Sequence, residues 1–118
     1  MEIATRHFVR PEHMNHHQTL YAGYISEWVT EAAMIGVTGL LKSTENVVLA
    51  AVKEISVTKE VVSGVILELW QETKRIGTTS VEIQITGRNF LTGEVHLTGS
   101  AVFVTVDEQG RKIPHGLR

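Results

Sequence analysis

The sequence predicts an α+β fold in which an antiparallel sheet wraps around one long central helix. Two observations predict it. From residue 20 to about residue 41, apolar residues recur at the spacing of a helix. After Asn46 the period changes to two, and four segments of alternating or β-branched residues follow. One apolar helix followed by antiparallel strands is typical of two layers packed around a single core.

The composition limits the class of protein. The 118 residues suffice for one compact domain, so we expect residues 1–118 to form a single domain. The formal net charge of -2 provides no basic field for nucleic acid or an anionic membrane. Cysteine is absent, and no apolar run is long enough to span a bilayer. We therefore expect a soluble, cytoplasmic protein with no nucleic-acid or membrane partner.

The elements before and within the helix follow from local patterns. Residues 3–9 form a short β-compatible run, and the histidine-rich residues 12–19 are predicted to form a loop. Thr19 is the candidate cap of the helix. Gly36 and Gly39 indicate that the last turns of the helix are weak or already belong to a connection.

Four strands are predicted after the helix, which gives the order β-α-β-β-β-β. Turns at residues 76–79 and 91–94 join the last three strands as hairpins. We expect all four strands to form an antiparallel meander. The predicted strands are residues 47–55, 65–72, 81–86 and 95–106.

Several motifs occur in a fixed order along nearly the whole chain. The helix is opened by NHHQTLYAG at residues 15–23 and continues with WVTEAA at residues 28–33. GTTS at residues 77–80 precedes a strand, LTGE at residues 91–94 forms a hairpin, and DEQG at residues 107–110 is followed by a proline. Together these motifs resemble the signature of the hotdog-fold acyl-CoA thioesterases.

The resemblance implies the hotdog fold and the hydrolysis of an acyl-CoA thioester to the free acid and coenzyme A. It implies no separate cofactor, since coenzyme A enters as part of the substrate. It also implies a homodimer or a higher homo-oligomer. Two subunits would pair their sheets edge to edge, with the active site at the subunit interface, so that a monomer would be inactive.

Two residues at the start of the helix depart from the family pattern. Ala22 replaces the first glycine of a helix-opening pair, and Thr30 stands where most of these enzymes have a catalytic aspartate. A threonine cannot act as a general base near neutral pH. The second glycine of the pair is present as Gly23, whose N–H could help stabilise an oxyanion at the thioester carbonyl. The alternative role of Gly23 is close packing of the helix on the sheet.

Two glutamates one helical turn apart are candidates for the missing base, Glu31 first and Glu27 second. An enclosing sheet would bury them, and burial raises the pKa of a carboxylate toward the range useful for proton transfer. The alternative is that Glu31 only orients the loop backbone. Asn15 matches a loop asparagine that would position the water or the carbonyl, or it is a turn residue that bonds its own backbone. The implied catalytic residues are Asn15, Gly23, Thr30 and Glu31.

Substrate binding is assigned to the histidine-rich loop, the helix start and one hairpin. His16 or His17 could act as a base or remain in solvent, and no metal site is expected because the spacing of metal-binding helices is absent. The phosphates of coenzyme A need local positive charge, and resembling proteins contact the nucleotide near Lys74 and Arg75. Their alternative is a solvated surface. The implied binding residues are His16, His17, Ala22, Glu27, Lys74, Arg75, Thr78 and Thr79.

Two other functions remain open. A lyase would add or remove ammonia or water at the β-carbon of a CoA ester, as in 3-aminoacyl-CoA ammonia lyases of this fold. The missing aspartate favours it, with Glu31 abstracting the α-proton and the helix N-terminus holding the enolate. A non-catalytic acyl-CoA-binding protein would be stabilised by the ligand without turnover.

Overall fold

One long helix and five strands account for most of the molecule, and the computed structural model describes residues 1–117. The order β-α-β-β-β-β is the predicted one, with a single 3-10 turn at Pro11–His13 before the helix. The elements are β1 (Glu2–Phe8), α1 (Ala22–Leu41), β2 (Val47–Val57), β3 (Ile66–Ile76), β4 (Ser80–Asn89) and β5 (Val95–Thr105).

Helix α1 begins two residues later than predicted, and Thr19 does not cap it. The N-cap is Tyr21, which has an extended backbone. Leu20 is held in an extended conformation because its N–H donates to the carbonyl of Val61 and it forms a bridge with Met14. The cap prediction was wrong because long-range pairing fixes the chain up to Leu20.

The last turns of α1 are regular despite their glycines. Gly36 is buried, and a Cβ at this position would lie 2.6 Å from Oε1 of Gln71. The glycine therefore lets β3 approach the helix and does not end it. The helix ends at Leu41, and Lys42 adopts a left-handed conformation with φ 62° and donates its N–H to Thr38.

The sheet is antiparallel, with the strand order β1-β3-β4-β5-β2. Strands β3, β4 and β5 form the predicted meander. The prediction that β2 also belongs to the meander was wrong, because β1 occupies the free edge of β3. Strand β2 pairs with β5 at the far edge of the sheet, and most of its side chains are exposed.

Helix α1 packs on β1, β3, β4 and β5. On one side Trp28 stacks on His7 of β1. On the other side Val29 approaches β5, where its Cγ1 lies 3.3 Å from the position of a Cβ at Gly99. We call these sides the β1 flank and the β5 flank. Nothing among residues 1–117 meets the requirements of a membrane-crossing helix. The buried apolar core includes Ile25, Val29, Ala32, Val37, Leu67, Leu69, Ile83, Ile85, Leu97 and Phe103.

Candidate active site

The loop before α1 is organised by Asn15. Its Oδ1 accepts the backbone N–H of His17 at 2.8 Å and that of Thr19 at 3.2 Å. Its Nδ2 donates to Oγ1 of Thr19 at 3.0 Å. These contacts are those of a turn residue that bonds its own loop, and they leave one hydrogen of Nδ2 for another acceptor. A role of Asn15 toward a substrate stays a prediction.

Two of the three histidines of this loop lie in solvent. His16 and His17 are exposed, and their ring centroids are 4.0 Å apart. Gln18 follows with a positive φ of 61°, which turns the chain back toward Leu20. No three histidine or carboxylate side chains within residues 1–117 converge on a common metal position. Whether His16 or His17 contacts a ligand stays a prediction.

The start of α1 presents two free backbone donors. The N–H groups of Tyr24 and Ile25 donate to the carbonyl of Tyr21 at 3.0 and 3.2 Å, which closes the first turn. The amides of Ala22 and Gly23 come before these bonds and have no backbone partner in the described part of the chain. The helix dipole adds partial positive charge at this end. The arrangement suits a developing oxyanion.

A cavity of about 390 Å³ opens beside these donors. Its lining consists of Tyr21, Gly23, Tyr24 and Glu27. The side of Gly23 where a Cβ would stand is occupied by the ring of Tyr21, whose Cε2 is 2.5 Å from that position. Residue 23 must therefore lack a Cβ for the ring to occupy this position. The sequence alone could not reveal this reason for a glycine.

Thr30 has already used its hydroxyl hydrogen. Its Oγ1 donates to the carbonyl of Ser26, one turn earlier, at 2.8 Å. Thr30 can accept a hydrogen bond but cannot take a proton from water. Since successive helical residues turn by about 100°, Thr30 lies toward the β5 flank and Glu31 toward the β1 flank.

Both candidate carboxylates lie at the surface. Glu27 and Glu31 are exposed, so the expectation that the sheet buries them was wrong. The sheet covers only the inner face of the helix, and these two residues lie on its outer side. Oε1 of Glu31 is 3.8 Å from Nε2 of His7 on β1. Burial lowers the pKa of His7, the negative charges of Glu31 and Glu27 oppose that shift, and His13 adds to it.

Distance along the helix separates the two glutamates. A helix rises about 1.5 Å per residue, so Glu27 is about 6 Å and Glu31 about 12 Å along the axis from Gly23. Within one protomer, Glu27 is the carboxylate that shares a cavity with Gly23. On sequence grounds Glu27 ranked second. The spacing of the two glutamates along the helix does not show which carboxylate lines a cavity.

The hairpin after β3 lies at the opposite end of the protomer. Gln71 of β3 passes Gly36, which is about 20 Å along α1 from Gly23. The strand continues for about 16 Å beyond Gln71 to the hairpin at residues 77–79. The longest dimension of the molecule is 43 Å. One protomer therefore cannot bring the hairpin and the start of α1 to the same thioester.

The cationic residues before this hairpin have different surroundings. Nζ of Lys74 lies 3.6 Å from a carboxylate oxygen of Glu54 and 3.6 Å from one of Glu82. Lys74 and Arg75 are both exposed, and the charge of Lys74 is partly balanced by these two carboxylates. The hairpin backbone is held by the C-terminal segment, since the carbonyl of Thr78 accepts the N–H of His115 and that of Thr79 accepts the N–H of Thr105. Their roles in nucleotide binding stay predictions.

Solved structures resemble the whole protomer. An acyl-CoA hydrolase from Staphylococcus aureus, solved with butyryl coenzyme A, coenzyme A and coenzyme A disulfide, has a TM-score of 0.84 and 24% identity, covering 93% of this chain and 66% of that one. A hexameric acyl-CoA thioesterase has a TM-score of 0.79 and 27% identity, with 93% and 72% covered. A hexameric hotdog-fold thioesterase of Campylobacter jejuni has a TM-score of 0.78 and 19% identity, with 97% and 90% covered.

The likeness confirms the hotdog fold that the motifs imply. No protein-family model and no curated protein matches the sequence.

Proposed function

We propose that this chain, which has the hotdog fold, is an acyl-CoA thioesterase that hydrolyses acyl-CoA to the free acid and coenzyme A. The observation that carries the proposal is the cavity at the start of α1. Its lining includes Glu27 and Gly23, whose amide is free, and the free amide of Ala22 is the preceding backbone donor. The neighbours of this fold are described as acyl-CoA thioesterases and hydrolases, which supports the choice of substrate.

The cavity supplies the two groups that thioester hydrolysis needs. The thioester oxygen accepts hydrogen bonds from the amides of Ala22 and Gly23, which stabilise the negative charge of the tetrahedral intermediate. The carboxylate of Glu27 takes a proton from a water molecule as the water oxygen bonds to the carbonyl carbon. The C–S bond then breaks, and coenzyme A leaves as the thiolate. Glu27 thereby does what Thr30 cannot.

The active form is a homo-oligomer built on strand β2. This edge strand exposes Val48 and Leu49 to 45% each and Val57 to 48%. An apolar, unpaired strand edge favours pairing with another chain. Two-fold pairing of β2 with β2 of a second copy forms one continuous sheet and runs the two protomers in opposite directions.

This pairing explains how one substrate reaches both ends of the chain. Reversing the second protomer moves its hairpin at residues 77–79 toward the end of the first protomer that carries Gly23. The acyl thioester then lies at the helix of one subunit, and the nucleotide lies near Arg75 and Thr78 of the other. Two of the neighbours are described as hexamers, which supports further association of such dimers.

The test follows free thiol and acyl-CoA by mass spectrometry over a panel that includes butyryl-CoA and 3-aminobutyryl-CoA. We expect stoichiometric release of thiol and acid, and a loss of about 100-fold or more in kcat for Glu27→Gln. Conversion of the amino ester to an unsaturated ester without thiol release would instead establish a lyase. Stabilisation by acyl-CoA without any product would establish a binding protein.

A further inference from the structure

Two tyrosine rings meet nearly at right angles beside the free amides of α1. The ring centroids of Tyr21 and Tyr24 are 6.3 Å apart, and their planes form an angle of 80°. Both rings line the cavity that also contains Gly23 and Glu27. Any group that enters this cavity therefore meets an aromatic corner.

The backbone of Tyr21 holds this corner in place. Its N–H donates to the carbonyl of His13 at 2.9 Å, and its own carbonyl accepts the N–H of Tyr24. The ring of Tyr24 packs edge-on against the ring of His13, with centroids 4.7 Å apart. His13 is buried and accepts the N–H of Arg10. His13 thus supports the Tyr24 ring from below, and the backbone of Tyr21 is anchored beside it.

The ring of Tyr21 covers the side of Gly23 on which a side chain would stand. Its Cε2 and Cδ2 atoms are 2.5 and 2.9 Å from the position where a Cβ of Gly23 would stand. Such a Cβ does not fit between the ring and the helix. The ring is therefore the wall directly beside the Gly23 amide.

From this geometry, and resting on the proposed function, we infer that Tyr21 determines acyl specificity. A carbonyl oxygen bound to the amides of Ala22 and Gly23 places the next carbon of the acyl group against the Tyr21 ring. In a straight chain this carbon carries hydrogens besides the continuing chain, and the chain passes along the corner. A branch at this carbon adds a methyl group toward the ring. The enzyme therefore accepts unbranched acyl groups and rejects groups branched next to the carbonyl.

Butyryl-CoA and isobutyryl-CoA are the sharpest probes, because they are isomers in which one methyl group moves from the chain end to the carbon next to the carbonyl. We expect the wild type to favour butyryl-CoA in kcat/KM by about 10-fold or more, the range in which a pocket resolves one misplaced methyl group. Tyr21→Ala should lower this preference below about 3-fold, mainly by raising kcat/KM for isobutyryl-CoA. Tyr21→Phe keeps the ring and should keep the wild-type preference.

Two further variants keep the result interpretable. Phe8→Ala removes another exposed aromatic ring, 61% accessible on β1 and outside the cavity, and should retain the wild-type preference. Tyr21→Leu replaces the ring with a smaller apolar group if Tyr21→Ala folds poorly, as judged by its thermal midpoint. Equal substrate preferences in the wild type and in the variants that lack the ring would overturn the role of Tyr21 but not the proposed function. Absence of thiol release from both substrates in the wild type overturns the proposed function and this inference with it.

Discussion

The imidazole of His7 lies parallel to the indole of Trp28, with ring centroids 4.1 Å apart and planes 5° from each other. His13 packs edge-on against the same indole at 5.3 Å. The stack joins strand β1 to helix α1 and gives His7 an apolar face on one side. At the edge of the ring, Nε2 of His7 lies 3.8 Å from Oε1 of Glu31. The pKa of His7 therefore depends both on its burial and on the charge of the nearby Glu31.

The first prediction concerns the pH dependence of stability. Burial lowers the pKa of His7 in the folded protein, although Glu31 and Glu27 oppose the shift and His13 adds to it. The unfolded chain therefore binds more protons just below about pH 6.5, and the free energy of unfolding falls as the pH drops through this window. His7→Phe keeps the stack and removes the titration. Urea unfolding between about pH 7 and pH 5 should show a smaller decrease in this variant than in the wild type.

His17→Gln is the matched control, because it replaces an exposed loop histidine that lies outside the stack with Trp28. The same decrease in His7→Phe as in the wild type would mean that other groups cause it.

The second prediction separates the two glutamates of α1. Glu27 shares the cavity with Gly23, whereas Glu31 lies about 12 Å along the axis from Gly23 and faces His7. We expect Glu31→Gln to lower kcat less than about 5-fold, against about 100-fold or more for Glu27→Gln. Steady-state thiol release at saturating butyryl-CoA measures both, with unfolding midpoints as the folding control. A larger loss of kcat in Glu31→Gln than in Glu27→Gln would identify Glu31 as the general base. The amides that bind the thioester oxygen beside Glu31 would then belong to another subunit.

The helix and the strands were predictable because their patterns of apolar residues are regular. The helix pattern covers residues 20 to about 41, the strand patterns are shorter but clearly separated by turns, and the structure confirms the element order. The start of the helix was not predictable, because the pairing of Leu20 with Met14 and the bond from Leu20 to Val61 are not local. The position of β2 at the far edge also depends on which edges other strands occupy.

The candidate site was predictable only in part. The motif located the helix start that the structure leaves with free amides, at Ala22 and Gly23. It could not show that Tyr21 fills the space beside Gly23, because a sequence does not specify where a ring turns. It also could not show that Lys74 lies between Glu54 and Glu82, since these three residues come from three strands.

The third prediction tests the β2 edge. Leu49 is 45% exposed in the protomer, so Leu49→Lys should leave the protomer fold intact. At a paired edge, however, it would bury two like charges, which oppose association. We expect a shift to monomers in light scattering and a loss of thiol release. Val62→Lys is the control, with similar exposure of 47% in a loop outside the sheet. An unchanged mass for Leu49→Lys would exclude the proposed edge.

The fourth prediction concerns Glu82, a buried carboxylate on the sheet. Ser100 donates to it at 3.1 Å, and Nζ of Lys53 lies 3.3 Å away. Burial raises the pKa of Glu82, but the bonds from Ser100 and Lys53 and the charge of Lys74 outweigh it, so the pKa lies below its usual value. The stabilisation is therefore present above the unfolded pKa and is lost as the pH falls through the folded pKa.

Glu82→Gln should lower the free energy of unfolding at pH 7 by about 1 to 3 kcal/mol, as measured in urea. Glu54→Gln is its control: Glu54 also lies near Lys74, but its side chain is 69% exposed, and the change should stay within about 0.5 kcal/mol. Equal effects of the two substitutions would contradict a special contribution of the buried carboxylate.

The fifth prediction asks why residue 23 is glycine. In Gly23→Ala the new Cβ would lie 2.5 Å from the Tyr21 ring, so the ring must shift, and this ring lines the cavity that we propose binds the thioester. The N–H of residue 23 survives the substitution. We therefore expect Gly23→Ala to lower kcat/KM for butyryl-CoA by about 10-fold or more in the wild-type background and by less than about 3-fold in the Tyr21→Ala background, which is a coupling between neighbours in contact. Equal losses in the two backgrounds would mean that the Cβ itself obstructs the carbonyl, and the glycine would then serve the ligand directly rather than the ring.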